Sequence, residues 1–176
     1  LGMIIPVLPH LIEDLLGGDT VRAAGMVGIF GSVWAVMQFV SMPVMGGLSD
    51  RFGRRPVILL SNLGLGLDYV LMALAPNLRW LFVGRVISGV TAASISTAMA
   101  YIADVTPPEN RAKSYGLVGM AFGLGFIVGP ALGGLFSHIS YTAPIWAAAA
   151  ITVVATLLAW LWLPETVHRV AAVAGS

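Results

Sequence analysis

Asp68 and Arg85 are ionisable side chains set inside long apolar runs, and each stands eight or nine residues from Pro76-Asn77. An ionisable group in a lipid-spanning helix is costly, and it usually faces a bundle interior or a water-filled cavity. If Pro76-Asn77 is the turn of a hairpin, the two residues lie at matching depth, ~12 Å from the surface at 1.5 Å per residue. A carboxylate and a guanidinium at one depth on adjacent helices can neutralise each other. Two kinds of chemistry are open to such a pair: a structural ion pair, or a proton or substrate site. The guanidinium stays charged, so a moving proton would sit on Asp68 and Arg85 would tune its acidity.

A second constellation is Gly46-Gly47-Leu48-Ser49-Asp50-Arg51-Phe52-Gly53-Arg54-Arg55-Pro56, with one acid, three arginines and three glycines between apolar runs. It reads as a tight, charged turn on the water side. Asp50 falls at the carboxyl end of a helix, where the dipole disfavours an acid. It is therefore expected to meet something else, such as the amino end of another helix, the alternative being a solvated loop charge.

Other polar groups lie in or near apolar runs. Gln38 is mid-run and is a candidate substrate contact, against helix–helix hydrogen bonding. Ser88, Thr91, Ser94, Ser96 and Thr97 make one run unusually rich in hydroxyls. They line water or bond back to carbonyls one turn earlier. Gly125, Gly129 and Gly133 recur every four residues on one helix face, which lets another helix approach closely. Pro130 removes a backbone hydrogen bond beside them and predicts a kink. His138 and His168 fall on opposite sides of the membrane, so no metal site is expected. No nucleophile with a base is present either, so neither catalytic residues nor a cofactor are expected, and the chain does not read as an enzyme.

Composition supplies the setting. Hydrophobic residues make up 58% of the chain and charged residues 10%, against about 25% charged in a soluble domain. Mean hydropathy is +0.92. Such a chain cannot cover itself with polar surface, and its natural solvent is a bilayer. A net charge of +1 with no basic patch gives no reason to expect nucleic acid. With no cysteine, disulfides and thiolate metal sites are excluded.

Spanning a bilayer takes ~20 mostly apolar residues. The predicted spans are Leu1–Leu16 (the second half of a first helix, bent by Pro6 and Pro9), Ala23–Met45, Val57–Ala75, Trp80–Ala103, Tyr115–Phe136 and Ala143–Leu163. Alternation puts Arg51, Arg54, Arg55, Arg111, Lys113 and Arg169 on one side and Arg22 and Arg79 on the other. That bias assigns the arginine-rich loop to the cytoplasm. Trp80, Trp146, Trp160 and Trp162 fall near predicted helix ends, as interfacial anchors do.

Taken together, these motifs resemble the major facilitator superfamily of transporters. The spacing G-x-x-x-D-R-x-G-R-R from Gly46 to Arg55 resembles that family's loop between the second and third helices. Gly125-Phe126-Ile127-Val128-Gly129-Pro130-Ala131-Leu132-Gly133-Gly134 resembles its drug/proton antiporter motif. Arg85-Val86-Ile87-Ser88-Gly89-Val90-Thr91-Ala92-Ala93 resembles its fourth-helix motif, with Ser88 where glutamine is common. Ile5-Pro6-Val7-Leu8-Pro9 and Leu67-Asp68-Tyr69 are similar to the tetracycline/proton antiporter branch.

The resemblance implies an all-α integral membrane protein, an amino-terminal six-helix bundle over residues 1–166 with a truncated first helix. Residues 167–176 would start a cytoplasmic linker to a missing six-helix half. It implies proton-coupled export of a small drug-like or tetracycline-like molecule across a bacterial cytoplasmic membrane, with an uptake symporter of the same family as the alternative. It assigns Asp68 and Arg85 to proton coupling, with Ser88 as a possible substrate contact. It assigns Gly46, Asp50, Arg51, Gly53, Arg54, Arg55 and Asp104 to a cytoplasmic gate. There Arg54 joins Asp104 and Asp50 meets a helix of the missing half. Pro164-Glu165-Thr166 resembles the string that follows the family's sixth helix.

Overall fold

The structure, a computed structural model, describes residues 4–92, 94–140 and 142–164, with no account of the Ser94 side chain. Glu165, Thr166, His168, Arg169 and the proposed linker lie outside the described residues, as do Leu1 and Ala93.

The fold is all-helical. In chain order the elements are α1 (Val7–Leu15), α2 (Thr20–Phe52), α3 (Arg54–Ala73), α4 (Leu78–Ala92), α5 (Ser94–Val105), α6 (Arg111–Ser137) and α7 (Ala143–Trp162). A single 3₁₀ turn at Pro108–Asn110 precedes α6. Five helical stretches are long and apolar enough to cross a membrane, with α4 and α5 together counting as one, Leu78–Val105. With α1 they account for the six predicted spans.

The boundaries differ most at the charged loop. Its residues from Gly46 to Phe52 are not a loop but the last turns of α2, which runs for 33 residues. At ~50 Å that helix outreaches a hydrocarbon core of ~30 Å, so its charged end projects into water with its backbone still paired. The reversal is made by Gly53 alone, at φ 103°. Only glycine takes that conformation without strain, so one residue replaces the predicted eleven-residue turn. The predicted first span is also shorter, since α1 holds nine residues. Pro43 and Pro130 sit inside α2 and α6, which continue through them.

Packing is uneven. α3 lies between α4 and α7, and α2 packs on α4, while α6 sits at the periphery against α7. The apolar core gathers at one end of the bundle, from Val7, Ile12, Phe30, Tyr69, Met72, Leu81 and Ile145. That end carries the α3–α4 turn and is opposite the arginines. Toward the arginine end the buried positions are mostly polar, with Asp68, Arg85, Ser88, Ser61, Thr97 and Ser49 buried alongside the apolar Val57. The outer surface is apolar, with Phe39, Ile127, Leu135 and Trp162 all strongly exposed, as a lipid-facing surface requires.

Candidate functional site

Hairpin geometry brings Asp68 and Arg85 together as the equal-depth argument requires. Arg85 Nη2 donates to Asp68 Oδ2 at 2.6 Å, with the carboxylate side chain fully buried and the guanidinium 9% exposed. Gly84 makes room: a Cβ there would come 2.5 Å from Asp68 Oδ1. Ser88, one turn further along α4, is buried beside the carboxylate. Asp68 Oδ1 and Arg85 Nε make no well-aligned hydrogen bond among the described residues, and the Ser88 hydroxyl is the donor within reach of the carboxylate. A purely structural ion pair is expected to satisfy its remaining lone pairs and protons. The spare carboxylate oxygen is instead a place for a proton or a donor group.

The α2–α4 contact next to this pair is very close. A Cβ on Gly89 would lie 2.7 Å from both the Trp34 carbonyl oxygen and Met37 Cβ. Glycine at this position is what lets the backbones approach. Gln38, the next residue along α2, is half-buried.

The second cluster stands at the arginine end. Arg54, the first residue of α3, donates from Nε to Asp104 Oδ2 at 3.1 Å, a contact across 50 positions of sequence. Its Nη1 reaches Ser49 Oγ at 2.8 Å and Asp50 Oδ1 at 2.7 Å. One guanidinium therefore ties the end of α2, the start of α3 and the end of α5. Two carboxylates share this one guanidinium, while Arg111 stands beside Asp104 and donates to the Ala103 and Thr106 carbonyls. Among the described residues the charge that meets Asp50 is Arg54 in the first turn of α3. Asp50 is 68% exposed and retains acceptor capacity.

Other loop residues have separate roles. Arg51 stacks its guanidinium over Phe52, 5.5 Å from the ring centroid. Arg55 turns the other way and donates to the Trp160 carbonyl at 2.5 Å, capping the end of α7. Gly46 is half-exposed with open space around it. In α6, Gly129 and Gly133 are buried, Pro130 is half-buried, and Gly125 and Gly134 are exposed with nothing within 4 Å of a Cβ. Among the described residues no three metal-ligating side chains gather.

Sequence reasoning missed Ser49, Gly84 and the Arg55–Trp160 contact. Gly84 was legible in principle as a small residue beside a charge in an apolar run. The Trp160 carbonyl carried no signal, since every residue has one.

The Major Facilitator Superfamily profile matches residues 1–176. The chain is 44% identical over 166 residues to the tetracycline resistance protein, class C, of Escherichia coli, covering 94% of this chain and 41% of that protein. It is 47% identical over 168 residues to the tetracycline resistance protein, class G, of Vibrio anguillarum, covering 96% and 42%. A crystal structure of the human organic anion transporter MFSD10 matches at a TM-score of 0.82 with 27% identity, over 94% of this chain and 44% of that one. The match is to the amino-terminal half of that fold. The chain thus spans about two fifths of the length of the curated relatives named here, 41% and 42%.

Proposed function

This chain belongs to the major facilitator superfamily, a family of membrane transporters and not of enzymes, and from that premise we propose that it works as the amino-terminal half of a proton-coupled exporter. The proposed cargo is a small drug-like molecule of the tetracycline kind. The proposed setting is a bacterial cytoplasmic membrane with the arginine-rich end inside, in keeping with the charge bias of the helix ends. The partners are the lipid bilayer, protons, the cargo and a second six-helix half.

The observation that carries this reading is the buried Asp68–Arg85 pair, in which the second carboxylate oxygen has no well-aligned donor. Protonation of Asp68 would weaken its attraction to Arg85, and that difference is what biases one helix arrangement over another. Export then follows if the protonated and ionised forms favour opposite accessibilities. The Arg54 cluster supplies the second element, a contact that holds three helices together at one end and must loosen for that end to open. Gln38 and Ser88 are the proposed cargo contacts. The glycine face of α6 is where the second half approaches.

The test is Asp68→Asn in the full-length protein, assayed in everted membrane vesicles with an acidic interior. Proton-driven tetracycline uptake into the vesicles should disappear while the amount of protein in the membrane holds. Normal uptake by the variant would refute the role of Asp68. Transport of cargo in the same direction as protons would identify a symporter instead.

A further inference from the structure

Between the two ion pairs runs a row of hydroxyls, of which the buried Ser61 and Thr97 are used by neither pair. Arg54, Ser61 and Asp68 recur every seven residues along α3, which places them on one face at steps of ~10 Å. Thr97 and Asp104 repeat the same spacing on α5, which packs against α3. Ser61 is 2% exposed and Thr97 1%. Ser61 Oγ and Thr97 Oγ1 have no hydrogen-bond partner among the described residues.

The register is set above them by Gly64, whose position has no room for a Cβ against the Thr91 methyl. Thr91 Oγ1 donates to the Ser88 carbonyl at 3.2 Å, and its oxygen is still able to accept. Hydroxyls therefore stand at successive levels from Ser88, beside the Asp68 carboxylate, through Thr91 and Ser61 to Thr97. The row ends at Asp104 and Arg54.

Buried hydroxyls are nearly always hydrogen-bonded, to protein or to ordered water. Leaving several unpaired in a lipid-embedded bundle is costly. Apolar side chains would have served for packing alone, as they do at the other end of the same helices.

We propose that the α3–α4–α5 seam holds a file of ordered water and conducts protons between Asp68 and the cytoplasm, by a route that meets the proposed cargo contacts at Ser88 and leaves them through Ser61 and Thr97. Each hydroxyl or water accepts one proton and donates one. A proton leaving the Asp68 carboxyl enters the first water, another leaves the last water past Asp104, and Arg85 remains to pair the carboxylate. At the mouth Asp50 and Asp104, which share the Arg54 guanidinium, offer carboxylate oxygens to the departing proton.

This inference rests on the proton-coupled reading above, and its test separates the two. In everted vesicles of the full-length protein, two rates are measured with labelled tetracycline. One is uptake driven by a pH gradient, and the other is equilibrium exchange, which needs no net proton movement. Wild-type uptake that ignores the gradient would overturn the proton-coupled reading and this one with it. With wild type coupled, S61V/T97V should lower driven uptake by roughly 10²-fold, the scale of a positioned proton-transfer group, and leave exchange unchanged. Equal retention of both rates, or equal loss of both at normal membrane level, would overturn the seam. If the double variant does not reach the membrane, T97V against T97S decides. The hydroxyl-keeping serine must retain driven uptake and valine must lose it, and equal rates would overturn the proposal.

Discussion

Arg54→Ala should release the arginine end of the bundle far more than Asp50→Asn. The Arg54–Asp104 contact joins side chains that are 18% and 29% exposed, so it counts as a charge-assisted hydrogen bond of about 1.5–3 kcal/mol. The Ser49 contact at 2.8 Å adds about 1 kcal/mol. If these contacts exist in one arrangement of the transporter and not in the other, their loss is about 3 kcal/mol of differential stability. That moves the state ratio roughly 10²-fold.

Asp50 differs because its carboxylate is 68% exposed. Solvent screening reduces its pair with Arg54 to about 0–1 kcal/mol, a change of at most about fivefold. The assay uses the absence of native cysteines in this segment. A cysteine placed at Ala98, half-buried on the inner half of the Leu78–Val105 span, is labelled in membranes with a water-soluble maleimide. Arg54→Ala should speed labelling strongly, Asp104→Asn nearly as much, and Asp50→Asn only slightly. Asp50→Asn matching or exceeding Arg54→Ala would show that Asp50 has a stronger partner than Arg54, such as a helix amino end in the second half. No change in any variant would mean that the cluster is only a solvated helix end.

Two further outcomes follow from close contacts. Arg85→Ala leaves Asp68 buried without its counter-charge, a loss of about 3–5 kcal/mol. Its membrane level should fall, and D68N/R85Q should restore the level without restoring transport. Gly89→Ala forces a methyl onto the Trp34 carbonyl oxygen, an overpacking cost of about 1–3 kcal/mol, whereas Gly28→Ala in α2 meets open space. Thermal unfolding in detergent should therefore show a lower midpoint for Gly89→Ala and an unchanged one for Gly28→Ala; the reverse order would contradict the packing described.

Much of this arrangement was legible in the residues. Apolar runs of spanning length, the charge bias between ends and the symmetric placement of Asp68 and Arg85 about Pro76-Asn77 are one-dimensional patterns. A helix converts them directly into depth, because each residue adds a fixed rise. Gly53 was legible as part of a turn, but not as the whole of it. Two glycines and a run of polar residues look like a loop, yet a helix can continue through them in water until one left-handed residue stops it. The pairing of Arg54 with Asp104 came from family resemblance and from no spacing within the chain. What only the tertiary structure decided is which face each residue turns inward. Depth follows from position along one helix, whereas facing depends on how α3 meets α4, α5 and α7. That is why Ser61, an ordinary serine in the sequence, is recognisable as a buried and unpartnered hydroxyl only once the helices are packed.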